Sequence, residues 1–221
     1  MSGFFSTDSP LWRALNKIAD LLWLNILFVI CCIPIFTVGA ALSAMYSVTF
    51  KIAVNEEGAI SQDFFNAFRE NFKQATILWL IMLGIGLFLL ADLFMAAYLP
   101  DSLQKIALVI LGIIGILFIL TFSYLFPLQS KFENTPKQTM MNALLISIRH
   151  LFPVSIVVAL FTAIPGLILC FAPHLYVIFL PVALLILFSG IAFFVTKLLR
   201  PIFQQYIDLQ KQQTEVEDET V

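Results

Sequence analysis

Asp92 has the strongest claim to chemistry in this sequence. It is the only carboxylate inside a predicted membrane span, within an apolar run that extends from 74 to 100. Carrying a charge into hydrocarbon is costly, so an ionisable residue there marks a proton relay or a ligand site by default. Its position supplies a competing reading. It stands eight residues before Pro100, about 12 Å along a helix, within reach of interfacial water. A carboxylate there serves equally as an interfacial group or as a helix-packing hydrogen bond.

The other reactive side chains form no constellation. Cys31, Cys32 and Cys170 all lie in apolar runs. Their odd count, the adjacent pair and the lack of a C-x-x-C spacing argue against a disulfide framework and a zinc site. They read as buried structural thiols. His150 and His174 have no partner at metal-ligand spacing and fall at the ends of apolar runs. There is no H-E-x-x-H, no G-x-S-x-G and no phosphate-binding glycine loop. The expectation is therefore no enzyme, no metal and no cofactor. Net charge is -2 and the twelve Lys and Arg are scattered, which speaks against a nucleic-acid surface.

The elements that would hold these residues follow from composition. Of 221 residues, 61% are hydrophobic and 12% charged, against about 25% charged in soluble domains. Mean hydropathy is +0.98. That excludes a soluble globular enzyme, and at roughly 20 apolar residues per crossing the chain has material for five or six membrane helices and no separate domain. The first apolar run is too long for a cleavable signal and carries Asn25 and Pro34 in its middle. Pro34, Thr37 and Gly39 break it into two spans, and Pro173 with His174 breaks the last.

The predicted fold is all-α: a polytopic membrane protein with six transmembrane helices in three hairpins and additional interfacial amphipathic helices. The spans fall near 15–33, 37–53, 75–98, 104–126, 151–172 and 176–196. Residues 1–207 form one integral membrane domain, and the acidic 208–221 follows as a disordered cytoplasmic tail. With six spans and both termini cytoplasmic, eleven cations (Arg13, Lys17, Lys51, Arg69, Lys73, Lys131, Lys137, Arg149, Lys197, Arg200 and Lys211) are inside and only Lys105 is outside. Five spans would move Arg13 and Lys17 outside, against the enrichment of Lys and Arg in cytoplasmic loops.

Two segments between spans are amphipathic. At about 100° per residue, Phe64, Phe65, Phe68 and Phe72 share one quadrant of 61–73, opposite Arg69, Glu70 and Lys73, with Ser61 as the expected N-cap. In 137–149, Met140, Met141, Leu144 and Ile148 oppose Asn142 and Arg149, Ile146 being the exception, and Thr135 with Pro136 signals the start. Such helices lie in the headgroup interface or pack on the bundle. An offset of 76 aligns the two, and an offset of 53 aligns Leu11 to Ala19 with the first. A triplicated unit of interfacial helix, span, turn and span fits this, as does shared periodicity alone. Gly39, Ser43 and Ser47 recur every four residues beside Ala40 and Ala44, a small-residue stripe that permits close helix approach and puts the second span at the centre. Asn25, Tyr46, Thr49, Tyr124 and Gln129 read as hydrogen bonds within the bundle.

Cys32-x-Pro34-x-x-Thr37-x-Gly39 with Ala41, Ala44 and Tyr46, then Asp63-Phe64-Phe65, Phe68 and Asn71-Phe72-x-Gln74-Ala75, resembles the YesL family of small bacterial membrane proteins of unknown function. Tyr124-x-Phe126-Pro127-Leu128, Lys131-Phe132 and Asn142-Ala143-Leu144 extend the resemblance to about residue 206. Members of that family are often encoded beside ABC-type carbohydrate uptake systems. The resemblance thus implies a non-enzymatic accessory component of carbohydrate uptake in the cell membrane. Its partners would be the lipid bilayer and a membrane or cytoplasmic protein such as a sugar ABC transporter permease. Arg69, Glu70 and Lys73 are the expected docking residues on the charged cytoplasmic side. The alternative is a small-solute transporter or channel with Asp92 as its intramembrane ionisable group, and an intramembrane enzyme is the third class.

Overall fold

The computed structural model describes residues 10–56, 58–132, 134–150 and 187–219, all of them helix or connecting turn. Among the described residues six α-helices follow in order: α1 (Pro10–Cys31), α2 (Val38–Val54), α3 (Ile60–Ala96), α4 (Asp101–Gln129), α5 (Pro136–Arg149) and α6 (Phe188–Glu219). Among the described residues there is no strand, and three helical segments are long and apolar enough to cross a membrane: Ile35–Val54, Ile60–Ala96 and Asp101–Gln129. The expected span at 151–172, the start of the one at 176–196, and with them Cys170 and His174, lie outside the described residues.

α2 is the centre of the bundle. Its apolar window is 67% buried against 11% for those of α3 and α4, and it packs on α1, α3, α4 and α6. Small residues make this possible, because Gly39, Ala40, Ser43 and Ala44 are all buried. α3 comes so close that the Ala75 carbonyl oxygen and the Trp79 Cβ occupy the space a side chain at Gly39 would need. The outer halves of α3 and α4 turn Phe88, Phe94, Val109 and Ile116 outward, each at least 60% exposed. Contiguous apolar surface of that extent suits lipid rather than water.

Three sequence expectations are corrected. Residues 61–73 do not form a separate interfacial helix; they are the first third of α3, which runs unbroken for 37 residues. Neither Gln74 nor Ala75 interrupts helical hydrogen bonding, and no Gly or Pro lies between residues 60 and 83. At about 55 Å, α3 is longer than the roughly 30 Å hydrocarbon layer, and the charged residues Asp63, Arg69, Glu70 and Lys73 lie in its first third. Ser61 is not the N-cap, a position held by Ala59; its hydroxyl accepts instead from Trp23 Nε1 of α1 at 2.8 Å. Finally, the helix of α6 continues through 208–219, the segment expected as a disordered tail. Its Gln, Lys and Glu residues are good helix formers and extend a helix already nucleated by packing.

α5 forms as a separate helix with a capping box. The Thr135 hydroxyl accepts from the Gln138 amide, and Gln138 Oε1 accepts from the Thr135 amide at 3.1 Å, with Pro136 at the first helical position. Thr139 reaches Gln129, and the carbonyl of His150 reaches Tyr124. These two contacts tie both ends of α5 to the last turns of α4. The buried face is Thr139, Ala143, Ile146 and Ser147, while Met141, Leu145 and Ile148 are exposed. Ile146, the exception to the predicted stripe, is thus a core residue, and the predicted face is split between bundle and surroundings.

Candidate functional site

Asp92 is part-exposed near the end of α3, with no hydrogen bond or ion pair among the described residues, and lines none of the described cavities. Arg69, Glu70 and Lys73 are exposed on the N-terminal part of α3, opposite Phe64 and Ala67, which are buried. The sequence-predicted residues are therefore divided between the two ends of one helix. Cys31 and Cys32 are half-buried where α1 ends, and His150 caps α5. Among the described residues no three His, Cys, Asp or Glu side chains come together as metal ligands would.

Polar residues within the helices tie them to one another. Asn25 Oδ1 accepts from the Ser189 amide at 2.9 Å, joining α1 to α6. Thr49 donates to the Tyr46 carbonyl at 2.9 Å, which leaves Thr196 as donor across the 2.9 Å between the two threonine hydroxyls. Gln129 joins Asn71 of α3 to Thr139 of α5, both at 3.3 Å, and Gln74 donates to the Asn134 carbonyl. The turn before α2 is built the same way: Thr37 Oγ1 lies 2.6 Å from the Cys31 carbonyl oxygen and 2.7 Å from that of Pro34. Trp79 Nε1 donates to the Ile35 carbonyl at 2.8 Å and pins that turn to α3.

Where α2 gives way to α3, Asn55 adopts the left-handed conformation at φ 57° and ends the helix. Lys51 Nζ then pairs with Asp63 Oδ1 at 2.7 Å, and the Gly58 amide donates to Asp63 Oδ2 at 3.1 Å. Burial pushes the Asp63 carboxyl upward; the hydrogen bond from Lys51, the Gly58 amide and the Lys51 charge outweigh it and hold the group below its ordinary value.

At the same end of the bundle the structure assembles a site that sequence reasoning missed. The C-terminal ends of α2 and α4 and the middle of α6 frame a half-open cavity of about 380 Å³ whose wall carries Lys51, Lys131 and Arg200. A second ring of contacts is aromatic. Phe50 stacks on Phe203 with centroids 5.7 Å apart, Phe132 meets Phe203 edge-on at 5.4 Å, and Lys131 Nζ lies 5.8 Å from the Phe50 centroid. Each element thus brings a cation and a phenylalanine close in sequence. That pairing was the available signal, at Phe50-Lys51, Lys131-Phe132 and Arg200 with Phe203, but nothing in the linear order says these helix segments meet.

The class is that of an all-helical protein whose described helices include three capable of crossing a bilayer. Residues 21–93 are similar to a family described as "Protein of unknown function, DUF624", the YesL-type family. The match takes in the second half of α1, all of α2 and nearly all of α3, including the Cys32 to Tyr46 and Asp63 to Ala75 motifs. No curated protein and no solved structure matches the chain.

Proposed function

We propose that the chain is a multi-pass protein of the cell membrane, with six spans and both termini cytoplasmic, that acts as a non-enzymatic accessory component by holding a protein partner on its cytoplasmic side. The observation that carries this reading is the charged first third of α3, a helix of 37 residues that is longer than one crossing needs. Its inner face is fixed to the bundle through Phe64 and Ala67, while Arg69, Glu70 and Lys73 face outward on a rigid helix. Exposed charge on a pre-ordered element steers and orients a partner without an ordering cost. The resemblance to the YesL family supplies the partner class, a permease or regulator of a carbohydrate uptake system. Affinity purification in mild detergent from cells grown on glycans tests it. Recovery of such a partner, lost in R69E/K73E with folding intact, supports the reading. A solitary protein and normal sugar growth after deletion overturn it.

A further inference from the structure

We propose that the cavity formed by the ends of α2 and α4 and the middle of α6 binds a phosphate-bearing anion, with Lys131 and Arg200 as its charge contacts and Phe50 and Phe203 as its apolar wall. A volume of about 380 Å³ falls within the roughly 300–1,000 Å³ of small-ligand sites. Three cations from segments far apart in sequence converge there, an arrangement that repels itself unless negative charge compensates it. Asp63 is taken by Lys51 at 2.7 Å. Among the described residues of the wall, Glu56 is then the one acidic group set against both Lys131 and Arg200, an excess of positive charge. Among the described residues neither Lys131 nor Arg200 has an ion-pair partner.

The donors favour phosphate over carboxylate. Lys131 comes from the end of α4, Arg200 from α6, and the neutral donors Ser47 and Gln204 from α2 and α6. A tetrahedral oxyanion offers oxygens in each of those directions, whereas a carboxylate offers two in one plane. Guanidinium matches phosphate in a bidentate fork, and lysine adds a point charge. Lys131 over the Phe50 ring at 5.8 Å is a weak contact that an anion can replace. The phenylalanines leave room for the apolar or sugar portion of an ester. An anionic phospholipid headgroup and a soluble phosphate ester present the same group, and the test separates them.

The full chain in neutral detergent is titrated with inorganic phosphate and, separately, with short-chain phosphatidylglycerol or phosphatidylcholine, and binding is read by native mass spectrometry and by thermal shift. Phosphatidylglycerol retained over phosphatidylcholine assigns the lipid source; stabilisation by inorganic phosphate without lipid preference assigns the soluble one. In either case K131Q/R200Q weakens binding by about tenfold or more. K197Q binds as wild type, because Lys197 sits over the Phe193 ring at 4.7 Å and is not part of the cavity wall. Wild type that binds neither probe, or a double variant that binds equally well, overturns the proposal. If K131Q/R200Q does not fold, Gln204→Cys in a chain with Cys31, Cys32 and Cys170 replaced by Ser gives the readout. Alkylation slowed by either probe supports the site, and an unchanged rate with both overturns it.

Discussion

A methyl group at Gly39 would stand 2.3 Å from the Ala75 carbonyl oxygen and 2.5 Å from Trp79 Cβ, and since the first is backbone, α2 and α3 must separate to admit it. Gly39→Ala is therefore expected to cost about 1–3 kcal/mol, as overpacking does, and to lower the melting temperature in detergent. Gly84→Ala, with nothing within 4 Å, leaves it nearly unchanged. Asp63 gives a pH-dependent counterpart. Its folded-state pKa is lowered, so the stabilisation it provides is present above the unfolded carboxylate value, about 3.9, and is lost as pH falls through the lowered folded value. Asp63→Asn should thus melt below wild type at neutral pH by about 1 kcal/mol or less, in keeping with a partly exposed pair. The difference should close only below the ordinary carboxylate range.

At the scale of helices, the sequence located elements better than it located their ends. Helices are present at Val38–Val54 and Asp101–Gln129, where spans were expected at 37–53 and 104–126, because charged residues and proline bound those apolar runs. The start of α5 was legible too, since Thr135-Pro136 announces a cap by local chemistry. Thr135→Ala removes that cap and should cost about 1 kcal/mol, read as faster amide exchange in 137–149 with α4 unaffected. The fusion of 61–73 with the span after it was not legible, because an amphipathic segment and an apolar one share the same helical period and only a breaker would have parted them. Nor was the Asn71, Gln129 and Thr139 tie, or the meeting of Lys51, Lys131 and Arg200. Periodicity assigns a residue to a face of its own helix and leaves open which helix that face meets.

Over the whole molecule, charge and contacts agree on which end is which. Lys51 pairs with Asp63, Gln129 bonds to Asn71, and Gln74 bonds to the Asn134 carbonyl. The end of α2, the start of α3, the end of α4 and the start of α5 are thereby tied together. Lys51, Arg69, Lys73, Lys131 and Lys137 therefore gather at one end of the bundle, with Arg200 drawn in through the shared cavity. Lys105 begins α4 at the other end, beyond the turn that follows Ala96. Lysine and arginine are retained on the cytoplasmic side during insertion, so the basic end is predicted to be the inner one. In a variant lacking the native cysteines, Asn66→Cys and Asn142→Cys should resist a membrane-impermeant maleimide in intact cells and react in inverted vesicles. Ser102→Cys, in the first turn of α4 and exposed, should show the reverse. Labelling at 66 or 142 from outside would turn the bundle over, carrying the docking face and the basic cavity to the wrong side for a cytoplasmic partner.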